Sequence, residues 1–234
     1  KQVEFNKTSE ILKNLDEHTA AIMIETVQGE GGITPAEKKY LRDVQKIASD
    51  NDILLFFDEV QCGVGRTGKF LATEWVKELQ PNLVSIAKGI GGGFPLGALL
   101  LDKKTSKSMS LGSHGSTFGG NPLAMAVANE VLNFVLNEDF LDHVREVGYN
   151  LRKLLKSEIV KKFPKLVSGV RGIGLMIGLE ALENNEILIK SLINQKLLTV
   201  KAGQNVIRML PPLILEMKHV DEAISKIDKA FSNF

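Results

Sequence analysis

The apolar positions of this chain fall into short unbroken runs near its start and periodic stretches further on. Leu54-Leu55-Phe56-Phe57 is four large apolar residues in a row, and it stops on Asp58-Glu59. Without the alternation of a half-exposed strand, such a run predicts a strand buried on both faces of a parallel sheet, with Asp58 at its carboxyl end. Residues 20–25 and 83–87 have the same form, the first ending on Glu25 and the second delivering Lys88, and 96–101 reads as one more strand. Residues 8–15 suit a short helix. Thr34-Pro35-Ala36-Glu37 offers an N-cap, a proline at the first helical position and a capping-box acid, ahead of a buried stripe of Leu41, Val44, Ile47 and Ala48. Strand–helix alternation up to Lys88 argues for a mostly parallel α/β layer, whose right-handed crossovers would line Glu25, Asp58 and Lys88 along one sheet edge. Ligands gather at the carboxyl ends of strands in such sheets.

Asn121-Pro122 caps a helix over 121–136 that is apolar nearly all round, which predicts burial. A domain change is expected near residue 138, giving domains 1–137 and 138–234. In the second, apolar positions 144, 147, 151 and 154 predict a helix ending before Pro164. A bent strand over 169–180, a helix over 185–196 and extended segments over 198–209 follow. Val220, Ile224, Ile227 and Phe231 close the chain at helical spacing, so this half reads as a small α+β domain.

Composition narrows the class. Of 234 residues 44% are hydrophobic and 24% charged, a globular balance, and no apolar run approaches a membrane span. Lys and Arg number 29 against 28 acids, a net charge of +1 that gives no reason to expect nucleic acid or an anionic membrane. Small molecules or other protein chains are the expected partners, and no metal site is expected. The single Cys62 excludes an internal disulfide, fits a reducing cytoplasm, and reads as a small residue beside a strand end rather than a nucleophile. The sequence opens on Lys1 with neither a signal-type apolar region nor an arginine-rich transit segment, so an upstream portion is expected to be missing.

Candidate chemistry comes from several motifs, each with an ordinary alternative. Gln28-Gly29-Glu30-Gly31-Gly32 permits positive φ and close backbone approach, as any turn does. Residues 112–122, rich in glycine and hydroxyls, suit an anion such as phosphate but also a connector. Arg208, between Ile207 and Met209 and before Pro211-Pro212, needs a carboxylate from the chain or from a ligand. Asp58 alone could cap the chain or bridge to Lys88. Taken together, a strand-end acid, a strand-end lysine before glycines, an anion-ready loop and a late arginine point to pyridoxal 5'-phosphate, which needs a Schiff-base lysine, an acid for its ring nitrogen and an anion site.

Five motifs carry a closer resemblance: Glu25-Thr26-Val27-Gln28-Gly29-Glu30-Gly31-Gly32, the segment from Phe57-Asp58-Glu59-Val60-Gln61 to Gly65-Arg66-Thr67-Gly68, Ala87-Lys88-Gly89, His114-Gly115-Ser116-Thr117-Phe118-Gly119-Gly120-Asn121-Pro122, and Val206-Ile207-Arg208-Met209-Leu210-Pro211-Pro212. In this order they resemble the class III pyridoxal-phosphate aminotransferases, of the acetylornithine and ornithine aminotransferase group. The resemblance implies a fold-type I transferase fold: the later part of the cofactor-binding large domain, then the small C-terminal domain. It implies that Lys88 holds the cofactor and moves the proton from substrate Cα, and that Asp58 bonds the pyridinium nitrogen. Val60 is implied to pack on the ring and Gln61 to bond its phenolic oxygen, with Glu59 also among the cofactor-binding residues. Thr117 is implied to bind the phosphate belonging to the neighbouring subunit, so a homodimer with the site at the subunit interface is expected. Ser116 and Glu25 are implied near the substrate. Arg208 would clamp the α-carboxylate of glutamate or 2-oxoglutarate, and Glu30 would pair with it when the other substrate is bound.

The implied reaction moves the terminal amino group of N2-acetylornithine to 2-oxoglutarate, in arginine biosynthesis. Ornithine or another ω-amino substrate is the alternative, and an inactive fragment serving assembly is another. Thr26 stands where the family usually has proline. The family's N-terminal glycine-rich turn and ring-stacking aromatic have no counterpart here, so activity is expected to require that portion.

Overall fold

The computed structural model describes residues 1–234, which form two compact units. The first comprises 1–26, 36–64 and 69–137, and the second 27–35, 65–68 and 138–234. No helix is long and apolar enough to cross a membrane.

The first unit is built on a four-stranded sheet, β1 (Ala21–Glu25), β4 (Leu54–Asp58), β5 (Leu83–Ala87) and β6 (Gly97–Leu101), in that spatial order. The first three strands are parallel and β6 returns antiparallel at the edge. Helix α1 (Thr8–Asn14) precedes the sheet, and α2 (Lys38–Asp50) is the crossover between β1 and β4. Its buried side is Tyr40, Leu41, Val44, Ile47 and Ala48, the expected stripe with one residue added.

Its beginning differs from expectation. Thr34-Pro35 is not a cap but strand β3, paired with β2 (Val27–Gln28), and α2 starts at Lys38 with no side-chain cap. The backbone of 34–37 is claimed elsewhere: Ala36 N donates to Thr26 O at 2.9 Å and Glu37 N to Asn6 Oδ1 at 2.9 Å. The organising strand also departs from its reading. Leu55 and Phe57 are buried, but Leu54 is exposed and Phe56 only half-buried. Helix α2 packs on the strand and covers the Leu55 and Phe57 face, while the Leu54 and Phe56 face is left partly open. Helix α3 (Pro122–Val135) shows the same effect: Asn121 caps it by accepting from Ala124 N, yet only Ala124, Ala128 and Val135 are buried. Leu123, Met125, Phe134 and Leu136 are exposed, since α3 packs by one side on the turn Lys88–Gly91.

The second unit is an antiparallel sheet of order β7 (Val167–Ile173), β8 (Met176–Ala181), β10 (Val206–Met209) and β9 (Val200–Ala202). What reads in sequence as one bent strand over 169–180 is the β7–β8 hairpin. Its turn is made by Gly174 at φ 58°, and Leu175 N donates to Arg66 O at 3.1 Å. Helices α4 (Glu138–Leu154, continued as a π-helical segment Leu155–Val160), α5 (Asn185–Asn194) and α6 (Met217–Phe231) form one core with the sheet. Val144, Leu151, Ile177, Leu179, Ile207 and Phe231 lie within it. The alternate residues of β7, β8 and β10 face the other way, and there the β2–β3 hairpin lies on the sheet.

Candidate active site

In the first unit the chain brings Glu25, Asp58 and Lys88 to the carboxyl ends of adjacent parallel strands. Glu25 and Asp58 are register partners as the last residues of β1 and β4, and Lys88 follows the last residue of β5. Both acids are half-buried and Lys88 is exposed. Asp58 is oriented before any ligand arrives: its Oδ1 accepts from Val60 N at 3.0 Å and from Ser85 Oγ at 3.3 Å. Both bonds fall on one oxygen, so Oδ2 is presented as the acceptor for an N–H cation, which suits a protonated pyridine nitrogen. Lys88 holds a left-handed φ of 49°, an unusual conformation for a residue with a side chain and one that clusters where geometry serves function. The backbone of Gly89 packs beside Val64, where a Cβ would come within 3.2 Å of the valine Cβ. A lysine at a fixed strand end, beside an acid with a free oxygen, fits the two covalent and ionic demands of pyridoxal phosphate.

Val60 and Gln61 are half-buried on the turn that follows β4. Glu59 points elsewhere. It has no exposed surface, and its carboxylate accepts from Ala72 N (2.5 Å), Thr73 N (2.7 Å) and Thr26 Oγ1 (3.5 Å). Desolvation pushes its carboxyl above the ordinary value, against the pull of the Thr73 and Ala72 amides. A side chain so committed ties the ends of β1 and β4 to the turn Ala72–Trp75. Ser116 and Thr117 lie in the wholly exposed stretch 106–120 and hydrogen-bond with none of the other candidates through their side chains.

In the second unit Glu30 and Arg208 meet. Arg208 Nη1 bonds Glu30 Oε1 at 2.5 Å, with the arginine side chain 12% exposed and the glutamate 72%. A largely buried guanidinium held by a mostly exposed carboxylate is a site at which one anion can replace another. Arg66, in the same unit, is mostly buried and donates to two backbone carbonyls, Leu175 O (3.2 Å) and Pro211 O (2.5 Å). Burial pulls it down to about 10, so it stays charged at neutral pH.

Sequence reading missed Ser85 and Arg171. Ser85 is the lone polar residue of β5 and pairs in register with Asp58, a signal that becomes visible once strand alignment is known. Arg171 stands between Val170 and Gly172 in a strand, much as Arg208 does between apolar residues.

Residues 1–231 match the family model described as aminotransferase class-III. The chain belongs to this family. Class-III aminotransferases are pyridoxal-phosphate enzymes, and the placement of Asp58 and Lys88 accords with that cofactor. The acetylornithine aminotransferase of Mesorhizobium japonicum is 46% identical over 226 residues, 97% of this chain and 56% of the relative. The chain thus spans little more than half the length of that class-III enzyme. Among solved structures, N-acetylornithine aminotransferase from Stenotrophomonas maltophilia superposes with a TM-score of 0.90 at 33% identity, covering all of this chain and 62% of the other. Ornithine aminotransferase from Plasmodium yoelii gives 0.91 at 32%, with the same coverage.

Proposed function

We propose that this chain works as part of a pyridoxal-phosphate transaminase that moves the terminal amino group of N2-acetylornithine to 2-oxoglutarate, as in arginine biosynthesis in the cytoplasm. It acts with the remainder of the family fold, which these residues do not span. Residues 1–137 are then the later part of the cofactor-binding large domain and 138–234 the small domain. The observation that carries the reading is Asp58, with Oδ1 engaged and Oδ2 open, on the strand next to the one that delivers Lys88. The names of the relatives favour acetylornithine.

The cofactor would supply an electron sink for the bonds at the carbon that bears the transferred amino group. Asp58 would keep the ring nitrogen protonated, Val60 would pack on the ring and Gln61 would bond its phenolic oxygen. Glu59 holds the turn that carries these residues. Lys88 would hold the cofactor through Nζ and, as a neutral amine, would serve as the base for the proton on the carbon that bears the transferred amino group. Thr117 binds the phosphate of a neighbouring copy of the chain, and Ser116 and Glu25 border the substrate. A homodimer would give the exposed apolar side of α3 a partner. In the second half-reaction Arg208 binds the α-carboxylate of 2-oxoglutarate, and in the first it is neutralised by Glu30.

Adding pyridoxal phosphate to the purified protein should produce a visible absorbance band that Lys88→Ala abolishes. A band of unchanged strength in that variant would refute the assignment of the lysine. With the remainder of the family fold supplied, glutamate formation from N-acetylornithine and 2-oxoglutarate tests the substrates. Turnover with ornithine alone would favour the second reading, to which the likeness to the Plasmodium yoelii structure lends support. Cofactor binding with no turnover of any ω-amine would leave the chain an assembly partner.

A further inference from the structure

Register puts two arginines on one face of the second unit's sheet. Arg171 of β7 and Arg208 of β10 are both paired opposite Gly178 of β8, so their side chains flank a position with none. The gap is filled from above by Ile33, fully buried, and a Cβ on Gly178 would come within 3.0 Å of the Ile33 Cβ. Ile33 is β-branched yet adopts φ 54°, a strained conformation that persists only where packing and hydrogen bonds hold it.

Arg171 supplies much of that hold. Its Nε donates to Gly32 O at 2.7 Å, its Nη2 to Gln204 Oε1 at 2.8 Å, and its Nη1 lies 3.3 Å from Glu180 Oε1. Gly32 belongs to the loop that carries Glu30, and Gln204 to the β9–β10 turn whose Gly203 N donates to Glu30 O at 2.7 Å. The approach needs the glycine: a Cβ at Gly32, φ 110°, would meet Gly203 O at 2.6 Å and Arg171 Nη2 at 2.7 Å. One guanidinium therefore ties the Glu30 loop, the β9–β10 turn and β8 together through donors that point in different directions.

We infer that Arg171 is a positioning residue that sets the strength of the Glu30–Arg208 pair, and through it the balance between the two carboxylate demands of the reaction. The inference rests on the two-substrate reading above. With Arg171 in place, Glu30 stays seated on Arg208, favouring the amino donor. When the loop loosens, Arg208 is more readily available to the carboxylate of 2-oxoglutarate.

Arg171→Lys keeps the charge but offers a single head that cannot reach Gly32, Gln204 and Glu180 together. In the cofactor-loaded enzyme this variant should lower KM for 2-oxoglutarate and raise KM for the amino donor, each by about fivefold, the net scale of one ordinary hydrogen bond. Hydrogen exchange of the amides in 27–35, read on the protein without substrates, should quicken. Glu30→Gln is the benchmark and should split the two KM values in the same sense. If Glu30→Gln produces no split, the two-substrate role of the pair fails. If it does while Arg171→Lys shifts both values together, or leaves exchange over 27–35 unchanged, the assignment of Arg171 is overturned. Gln204→Ala, which removes one partner and leaves Arg171 intact, should give a smaller split of the same sign, and an opposite sign would also overturn it.

Discussion

At the scale of single residues, the costliest group in the first unit is Glu59, a carboxylate with no exposed surface placed beside the acid that would hold the cofactor. Removing it leaves the Ala72 and Thr73 amides buried without an acceptor, so Glu59→Ala should cost about 3 kcal/mol of stability by chemical denaturation. The pH dependence follows from the direction of its shift. Unfolded, the carboxyl titrates near 4.5, and burial raises it in the fold, so its contribution is full below 4.5 and is lost as pH rises through the folded value. Glu59→Gln cannot ionise and keeps one acceptor oxygen. Its thermal midpoint should gain on that of the parent as pH is raised from about 4 to about 8, and a constant difference would show that the Glu59 carboxyl titrates alike in the folded and unfolded chain. The sequence marked Glu59 only through its motif, because whether a strand-end acid faces a ligand or backbone amides depends on the path of residues 72–73. Asp58 and Lys88 were legible because each ends an apolar run.

At the scale of elements, glycine decides how closely α4 approaches the β7–β8 turn. A Cβ at Gly148 would overlap the Gly174 carbonyl, and a Cβ at Gly174 would meet Thr67 and Arg66 backbone atoms within 2.7 Å. In an open helix Gly→Ala stabilises by about 1 kcal/mol. Here overlap with fixed backbone wins, and Gly148→Ala should lower stability by about 2 kcal/mol in urea unfolding. Gly115→Ala, where nothing lies within 4 Å, should change it by less than about 0.5 kcal/mol. Elements with a strong period, such as α2 and α6, could be read from their apolar spacing because that spacing is local. The β7–β8 hairpin could not, since its turn is closed by Arg66, 109 positions from Leu175. The capping motif at Thr34–Glu37 misled for a related reason: pairing with β2 offered the same backbone better partners than a helix start.

At the scale of the whole molecule, apolar surface remains uncovered on one face of the first unit's sheet and on α3, where Leu123 is 60% exposed and Phe134 58%. If a second copy covers α3, Phe134→Glu should reduce the mass measured by light scattering while leaving helical circular dichroism unchanged. An unchanged mass would count against that interface. By itself the sequence determined the strand-end acid and lysine, the buried stripes of the helices and the class of chemistry, because these depend on residue type and short-range period. Only the tertiary structure decided that Glu59 turns inward, that Ser85 orients Asp58, and that Arg171 and Arg208 share a sheet face around Gly178. Those facts follow from register and from chain segments far apart in sequence, and no local pattern encodes which partner a buried polar group will find.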